Sequence, residues 1–477
     1  MVIQMSIQYK GNRVKNKLGE MLKILPLRQF TSILFILICI NGYSQRKYSP
    51  GEIKSEIDTL FTKLEYIHPD LYKYFPKNSI YKQIGDIKTH LMDSITIPDF
   101  WFLIAPVVNG LNQGHVEVTP NRDDVTSYEK KLKENGNKII PIDVIIKDTI
   151  IIIKKIFNTN GINSGSVIQS INNIPSKEII DKMLRYVNGE RKEFRLTKIE
   201  PFFASQFSFF YPSKDFSLKL VDKKGEKYEI VLKGISDSVI DSFYIEKYFS
   251  KPDFSYKTIN GSIGFLEINS FHENDKFNPF IDSVFKDLSD TRAKDLIIDI
   301  RNNGGGDTRI CDELISDLTD KPYKGYKTIS VKLTKDIREQ FDYFSSYQKD
   351  TTIFIDTYNN NVESKKYRYK GNIYVLTSPS TFSSATYFAM IIKDYHFGIL
   401  VGDETGGLPT GYGDMLSFQL PVTKLNCTVS YKSFIRPSGV VDNRGVIPDY
   451  IVKPSIDDLI KGKDIVMDFV LKKINKK

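Results

Sequence analysis

The spacing of hydrophobic positions changes along the chain and predicts three structural regions. Between residues 50 and 112, apolar residues recur every three or four positions, which is the period of a helix with one buried face. The first such helix carries its apolar residues at Ile53, Ile57, Leu60, Leu64 and Ile67. A second apolar helix ends near Gly110, and His115 follows on a turn. The pattern therefore predicts a helical N-terminal region over residues 45–130.

The period shortens near residue 138, where β-branched residues dominate. Strands, a turn, an amphipathic helix and a hairpin turning near Lys224–Gly225 predict a small mixed domain over residues 135–237. Residues 253–456 then alternate apolar strands with helical patterns, which is typical of the α/β fold class. Residues 319–370 are polar and rich in tyrosine, and are expected to form an excursion or cover between two of these units.

The first 44 residues have the three parts of a signal peptide. Lys23 and Arg28 precede an uncharged apolar core, Ile33–Ile40, and small residues follow at Gly42 and Ser44. We expect cleavage after Ser44, with Met21 as the true start. The apolar core is too short for a spanning helix, so no stable membrane span is expected after its removal. The mature chain is expected in the periplasm or at the cell surface of a bacterium.

Composition narrows the function classes. Hydrophobic residues make up 41% of the 477 residues, enough for packed cores. Removing residues 1–44 takes away six basic residues and one acidic residue, so the net charge falls from +9 to +4 (9 − 6 + 1). No basic stripe interleaved with aromatic residues indicates nucleic-acid binding. Cys311 and Cys427 remain as a pair that an oxidising compartment could join, and no metal-ligand spacing is present. We expect neither a metal nor another cofactor.

Two short motifs could carry chemistry. Three glycines, Gly304–Gly306, follow the buried strand pattern "DLIIDI", where their N–H groups could stabilise a developing oxyanion. Ser383 lies in "TFSSATYFAM", where a strand pattern gives way to a helix. A serine at a helix start can attack a carbonyl while adjacent amides hold the oxyanion, although hydroxyls at this place also serve as helix caps. A serine nucleophile needs a base as well.

The order of motifs resembles the family of C-terminal processing (tail-specific) serine peptidases, together with the tricorn core protease. The motifs are "LNQGHVEV", "LIIDIRNNGGGD", "TFSSATYFAMIIKDY", "ILVGDETGG" and "DNRGVIPDYIV". The stretch "NSGSVIQSINNIPSKEII" is similar to the family's PDZ-like domain, which presents polypeptide C-termini to the protease. The resemblance implies a crotonase/ClpP-like ββα catalytic domain over residues 253–456 and a PDZ-like domain over residues 135–237.

The resemblance also implies roles for individual residues. It places the nucleophile at Ser383. Leu408 stands where many members carry a lysine base, and the tricorn-like branch uses a histidine that matches His115. A serine precedes that histidine in tricorn, and Gly114 does so here. The acidic residue of the catalytic group in that branch matches Asp442, and Asp403 and Glu404 are alternative candidates for the same role. The backbone amide of Ser384 and that of one of the three glycines would form the oxyanion hole, and Gly305 is the preferred candidate among the three.

These observations favour an exported serine endopeptidase that hydrolyses polypeptides, and recognition of substrate C-termini is the finer expectation. Two other functions fit the same sequence. One is a catalytically silent ligand- or peptide-binding protein on this scaffold, which the absent lysine leaves open. The other is hydrolysis of a non-peptide ester or amide by the same serine.

Overall fold

A computed structural model describes residues 46–157, 164–355 and 362–476. The predicted signal peptide lies outside these residues. No helix within the described ranges combines the length and apolarity needed to cross a membrane. The helices are α1 Pro50–Ile67, α2 Lys77–His90, α3 Ile97–Asn109, α4 Arg122–Glu134, α5 Ser176–Leu184, α6 Lys192–Ile199, α7 Phe203–Phe210, α8 Asp237–Tyr244, α9 Phe277–Asp290, α10 Thr308–Leu318, α11 Lys335–Gln340, α12 Ser384–Asp394, α13 Ile456–Ile460 and α14 Ile465–Ile474, with short 3-10 segments at Glu200–Phe202 and Asp342–Phe344 and a π-helical turn at Ile245–Phe249.

The strands form three sheets. They are β1 Glu117–Thr119, β2 Ile142–Lys147, β3 Ile150–Ile156, β4 Val167–Ile171, β5 Ile174–Pro175, β6 Asp215–Val221, β7 Lys227–Lys233, β8 Phe254–Ile259, β9 Ile263–Ile268, β10 Asp295–Asp299, β11 Thr328–Leu333, β12 Thr351–Ile355, β13 Asn372–Thr377, β14 Ile399–Gly402, β15 Gly411–Gln419, β16 Asn426–Ile435 and β17 Tyr450–Ile451.

The N-terminal helices form as their sequence pattern predicts. Pro50 opens α1, and the Ser49 hydroxyl and the Glu52 carboxylate satisfy each other's backbone N–H groups in a capping box. The apolar residues of α1 that recur at helical spacing are all buried. They pack in one core with residues of the PDZ-like region and of the sheet that contains β16. The N-terminal helices thus connect two of the three sheets.

The PDZ-like region contains an antiparallel sheet in the order β2-β3-β4-β6-β7, with β5 paired to β4. The predicted hairpin is β6–β7, and Gly225 adopts the positive φ of +87° that its turn needs. Helices α5 and α6 follow β5 and lead towards the α/β part of the molecule. The loop between these two helices, residues 185–191, contacts the turn that carries His115.

The α/β region is built on a sheet in the order β17-β14-β13-β10-β9-β8. Neighbours from β9 to β17 pair in parallel, and β8 adds an antiparallel edge. Helices α9, α10 and α12 supply the apolar side chains that cover one face. Strands β10 and β13 are neighbours, so the glycine motif after β10 and the serine motif after β13 meet at one sheet edge. The α/β fold class is confirmed.

The expected cover over residues 319–370 is in part a sheet. Strands β11 and β12 join β16, β15 and β1 in the order β1-β16-β11-β12, with β15 on the other side of β16. Strand β1 comes from the N-terminal region and pairs antiparallel with β16, about three hundred residues further along. This pairing carries the turn before β1, and therefore His115, to the α/β domain.

The two cysteines of the described chain do not form a disulfide. Cys311 in α10 and Cys427 in β16 are buried free thiols that belong to different hydrophobic clusters. The Cys311 thiol contacts the backbone oxygen of Ser384, at a sulfur–oxygen distance of 3.3 Å. Cys311 thus packs against the first residue of α12.

Candidate active site

Ser383 lies on a strained turn between β13 and α12. Its φ is +53°, a value that a residue with a side chain adopts only when its surroundings hold it there. Neighbouring hydroxyls supply that restraint by donating to backbone oxygens of the loop after β10. The bonds are Ser378 Oγ to Arg301 O at 2.5 Å, Thr381 Oγ1 to Ile300 O at 3.0 Å and Ser384 Oγ to Gly306 O at 2.8 Å. These hydroxyls have structural roles, whereas the Ser383 hydroxyl faces a histidine.

That histidine is His115, and the structure brings it to Ser383. The distance from His115 Nε2 to Ser383 Oγ is 3.3 Å, slightly longer than a strong hydrogen bond, as free enzymes often show. The His115 ring stacks on the ring of Phe382 with centroids 4.9 Å apart. The Thr428 hydroxyl of β16 donates to the His115 carbonyl at 3.4 Å. Residues 268 positions apart thus form one nucleophile–base pair.

The surroundings of His115 keep its imidazole neutral. Burial and, to a smaller extent, the nearby Lys198 ammonium lower the pKa of His115 to about 4. The Asp414 carboxylate and the Tyr412 carbonyl oppose this shift. A neutral imidazole can accept the proton of a serine hydroxyl. Near neutral pH, His115 is therefore in the protonation state that a base requires.

The structure does not bring the predicted acidic residues to His115. The Asp442 side chain is exposed and accepts the backbone N–H of Arg444 at 3.1 Å. Glu404 pairs with Arg444 and Arg191, and Asp403 pairs with Lys453. No carboxylate among the described residues bonds the buried Nδ1 atom of His115, and the Tyr412 backbone is the polar group that acts on the ring besides Ser383. This site differs from a serine–histidine–aspartate arrangement, in which a carboxylate holds that nitrogen.

The predicted oxyanion donors are both beside Ser383, but only one amide is open. Ser384 is the first residue of α12, where backbone N–H groups lack partners within the helix. Gly305 approaches Ser383 closely, but its N–H donates to the Asn303 side-chain oxygen at 2.8 Å. The Asn303 amide is in turn fixed by the Ile268 carbonyl. In this state the expected Gly305 donor is occupied by Asn303, which corrects the expectation of a free amide.

Gly305 is nevertheless expected to be indispensable for geometry. Its φ is +105°, and a Cβ atom there would lie 2.7 Å from Ser383 Cβ and 3.0 Å from Ser384 N. Gly305→Ala is therefore expected to displace the nucleophile and lower kcat by about 100-fold or more. Gly304→Ala is the matched control, because a Cβ there meets no atom within 4 Å. Peptidase kinetics and thermal melts of both variants test this, and equal activity of the two would contradict it.

Three further residues near the pair had no recognisable sequence signal. Asn188, Glu190 and Lys198 come from the loop after α5 and from α6, in the PDZ-like region. Burial lowers the pKa of Lys198 to about 8, while Glu117 and Glu190 oppose that shift. A single asparagine, glutamate or lysine in such a segment carries no motif, so only the folded chain shows their proximity to His115.

Comparisons with known proteins agree with this architecture. Residues 262–452 match the family model of peptidase family S41. The structure of mature CPAF complexed with lactacystin shares 16% identity with a TM-score of 0.63, covering 90% of this chain and 99% of that chain. Mature CPAF matches with 16% identity and a TM-score of 0.63, over 88% and 96%. The photosystem II D1 C-terminal processing protease matches with 14% identity and a TM-score of 0.43, over 87% and 98%.

The α/β fold and the family match define a serine-type peptidase. Residues 262–452, which hold the Ser383 motif, are similar to the peptidase domain of family S41. Polypeptides are therefore its substrate class. The likeness to the CPAF structures, at 16% identity, supports the shared fold.

Proposed function

We propose that this chain is an exported endopeptidase in which Ser383 is the nucleophile and His115 is the base. The observation that carries the proposal is the 3.3 Å approach of His115 Nε2 to Ser383 Oγ, on a serine held at positive φ. The strain and the neutral state of His115 both support a reacting pair over a helix cap. The signal-peptide pattern of residues 1–44 supports export to the periplasm or cell surface.

The reaction follows from this geometry. Ser383 Oγ attacks the carbonyl carbon of the scissile bond, and His115 Nε2 takes the hydroxyl proton. The Ser384 N–H, at the start of α12, donates to the oxyanion. His115 then gives its proton to the leaving amine nitrogen, which leaves an acyl group on Ser383. A water molecule, deprotonated by His115, attacks this ester, and the proton returns to Ser383 as the acid product departs.

The pH dependence of cleavage follows from the lowered pKa of His115. Protonation removes the base, so kcat/KM is expected to fall as the pH drops through about 4 and to stay nearly constant from pH 5 to 7. An exposed imidazole would instead lose half its activity near pH 6.5. Initial rates from pH 3.5 to 8, with recovery of activity on return to pH 7 as a folding control, test this. A midpoint near 6.5 would contradict it.

Recognition of substrate C-termini is the finer part of the proposal. It is supported by the PDZ-like region, whose α5–α6 segment lies against the Ser383 loop. Recognition of C-termini is tested with one unstructured polypeptide prepared in two forms. One form has a free C-terminal carboxylate and the other is amidated at its C-terminus. A higher kcat/KM for the free carboxylate is expected.

Product analysis tests the proposed function itself. The purified protein is incubated with an unstructured polypeptide and with a simple ester, and the products are identified by mass spectrometry. Internal peptide-bond cleavage that is absent from a Ser383→Ala variant is the expected result. Cleavage of the ester alone would instead indicate an esterase, and no turnover of either would favour a binding protein on this fold.

A further inference from the structure

We propose that Asn188 and Glu190 are positioning residues that hold the backbone of the His115 turn and thereby set the His115–Ser383 distance. The proposal rests on the proposed function, because it concerns the same nucleophile–base pair. It gives the PDZ-like region a direct part in the active site. The loop between α5 and α6, which carries both residues, contacts the His115 turn, and α6 directly after it contacts the Ser383 loop.

The first contacts are made to the peptide groups on either side of His115. The Gly114 N–H donates to Glu190 Oε1 at 2.8 Å. Asn188 Nδ2 donates to the Gly114 carbonyl at 2.8 Å and lies 3.5 Å from the Val116 carbonyl. Asn188 is 4% exposed, so these bonds form away from competing water. The backbone before and after the base is thus fixed from one loop.

The space around Gly114 shows that Glu190 occupies the place of a side chain. A Cβ atom at Gly114 would lie 2.4 Å from Glu190 Oε2 and 2.8 Å from Phe382 Cζ. The residue before the histidine in tricorn is a serine, and no side chain fits at this position here. The Glu190 carboxylate fills that volume instead and supplies the hydrogen bond to the turn.

Asn188 and Glu190, together called the clamp, are themselves held in place by neighbouring residues. Lys198 Nζ donates to Asn188 Oδ1 at 2.6 Å and to the Asn188 carbonyl at 2.9 Å, which turns Asn188 Nδ2 towards the His115 turn. Phe194 of α6 stacks on Phe382, next to Ser383, with ring centroids 4.1 Å apart. The same segment therefore touches both the base-bearing turn and the nucleophile-bearing loop.

A neighbouring residue extends the clamp to the other side of the site. Arg191 donates to the Thr405 carbonyl and pairs with Glu404 Oε2 at 3.1 Å. Glu404 also accepts from the Gly445 N–H at 2.7 Å, which fixes it within the α/β domain. Glu190 thus bonds to the His115 turn, and the next residue, Arg191, bonds to the α/β domain.

The arrangement matters because His115 lacks the usual orienting partner. With no carboxylate on Nδ1 among the described residues, the ring depends on its own backbone, on stacking against Phe382 and on the Tyr412 backbone for its position. A displacement of about 1 Å between reacting groups can cost 100-fold in rate. Loss of the backbone bonds is therefore expected to slow chemistry without weakening substrate binding.

The test compares Glu190→Ala, Glu190→Gln and Asn188→Asp with the wild-type protein. Glutamine keeps the Oε1 acceptor, whereas alanine removes it. Aspartate keeps the acceptor for Lys198 and loses the Nδ2 donor. We expect kcat to fall about 10- to 100-fold in Glu190→Ala and Asn188→Asp with KM unchanged, and to return to within about threefold of wild type in Glu190→Gln. Lys192→Ala is the control, since the Lys192 ammonium is paired with Asp148 at the surface.

A fluorophosphonate probe separates this proposal from the proposed function. Labelling replaces the P–F bond by a Ser383 Oγ–P bond with loss of fluoride, and its rate reports the activated serine without peptide binding. The rate is expected to fall in parallel with kcat. Unchanged kcat and labelling rates in folded Glu190→Ala and Asn188→Asp would overturn the positioning role alone. A folded wild-type protein that does not label would overturn the proposed function. Equal losses in Glu190→Ala and Glu190→Gln, at wild-type melting temperature, would also overturn the hydrogen-bond role assigned to Glu190.

Discussion

Replacing Ser383 by alanine is expected to abolish peptide hydrolysis, with kcat lowered by about 10⁴- to 10⁶-fold. The residue supplies the atom that forms the acyl bond, and three neighbouring hydroxyls bond elsewhere. The hydroxyls of Ser378, Thr381 and Ser384 donate to backbone oxygens, whereas the Ser383 hydroxyl contacts His115. Initial rates on an unstructured polypeptide, with cleavage products followed by mass spectrometry, measure the effect.

The loss is expected to leave the fold intact. The Ser383 hydroxyl contacts His115, and its removal leaves intact the bonds from Ser378, Thr381 and Ser384 that join the serine loop to the loop after β10. Ser380→Ala is the matched control for deleting a hydroxyl from the same loop, and its activity is expected within about threefold of wild type. If Ser383→Ala cleaved peptides at the wild-type rate, Ser383 would be a helix cap and the nucleophile would lie elsewhere.

Replacing His115 by alanine is expected to lower kcat by a similar factor, about 10⁴- to 10⁶-fold. Without Nε2 the Ser383 proton has no acceptor, and the leaving amine has no proton donor. Nucleophile and base act as one unit, so the Ser383→Ala/His115→Ala double variant is expected to be no slower than either single variant. Steady-state rates of the four proteins in this cycle provide the measurement.

A second histidine variant is the control for His115→Ala, because it separates loss of the base from a general effect of removing a histidine. His90 lies at the exposed end of α2, and its Nδ1 contacts the Asp86 carbonyl at 2.8 Å. His90→Ala is expected to retain wild-type kcat. Additive losses in the double variant, or a fully active His115→Ala, would show that His115 does not work through Ser383.

Local patterns were sufficient for the elements that carry the site. Helix α1 could be predicted because its apolar spacing and its capping box agree. Strands β10 and β13 are continuous apolar runs, so the glycine and serine motifs could be placed at their ends. Only the family resemblance suggested that the side chains of Ser383 and His115 lie close together. The physical cause of this proximity is the pairing of β1 with β16, which no local pattern reveals.

The remaining features depend on contacts between distant segments. Asp442 was a candidate because of its position in "DNRGVIPD", but its side chain turns to Arg444 N in its own loop. Gly305 was expected to offer its amide, but the side chain two residues earlier, Asn303, accepts that N–H. Glu190 had no signal, because its role depends on the missing side chain of Gly114, 76 positions away.

Covalent labelling of the purified wild-type protein with a fluorophosphonate, followed by peptide mapping of the adduct, tests the central claim most directly. A single adduct on Ser383, lost in His115→Ala, is the predicted result, because only a serine activated by its neighbouring base displaces the fluoride rapidly. Absence of an adduct from the folded protein, or an adduct on a different serine, would contradict the assignment of Ser383 and His115 as the reacting pair.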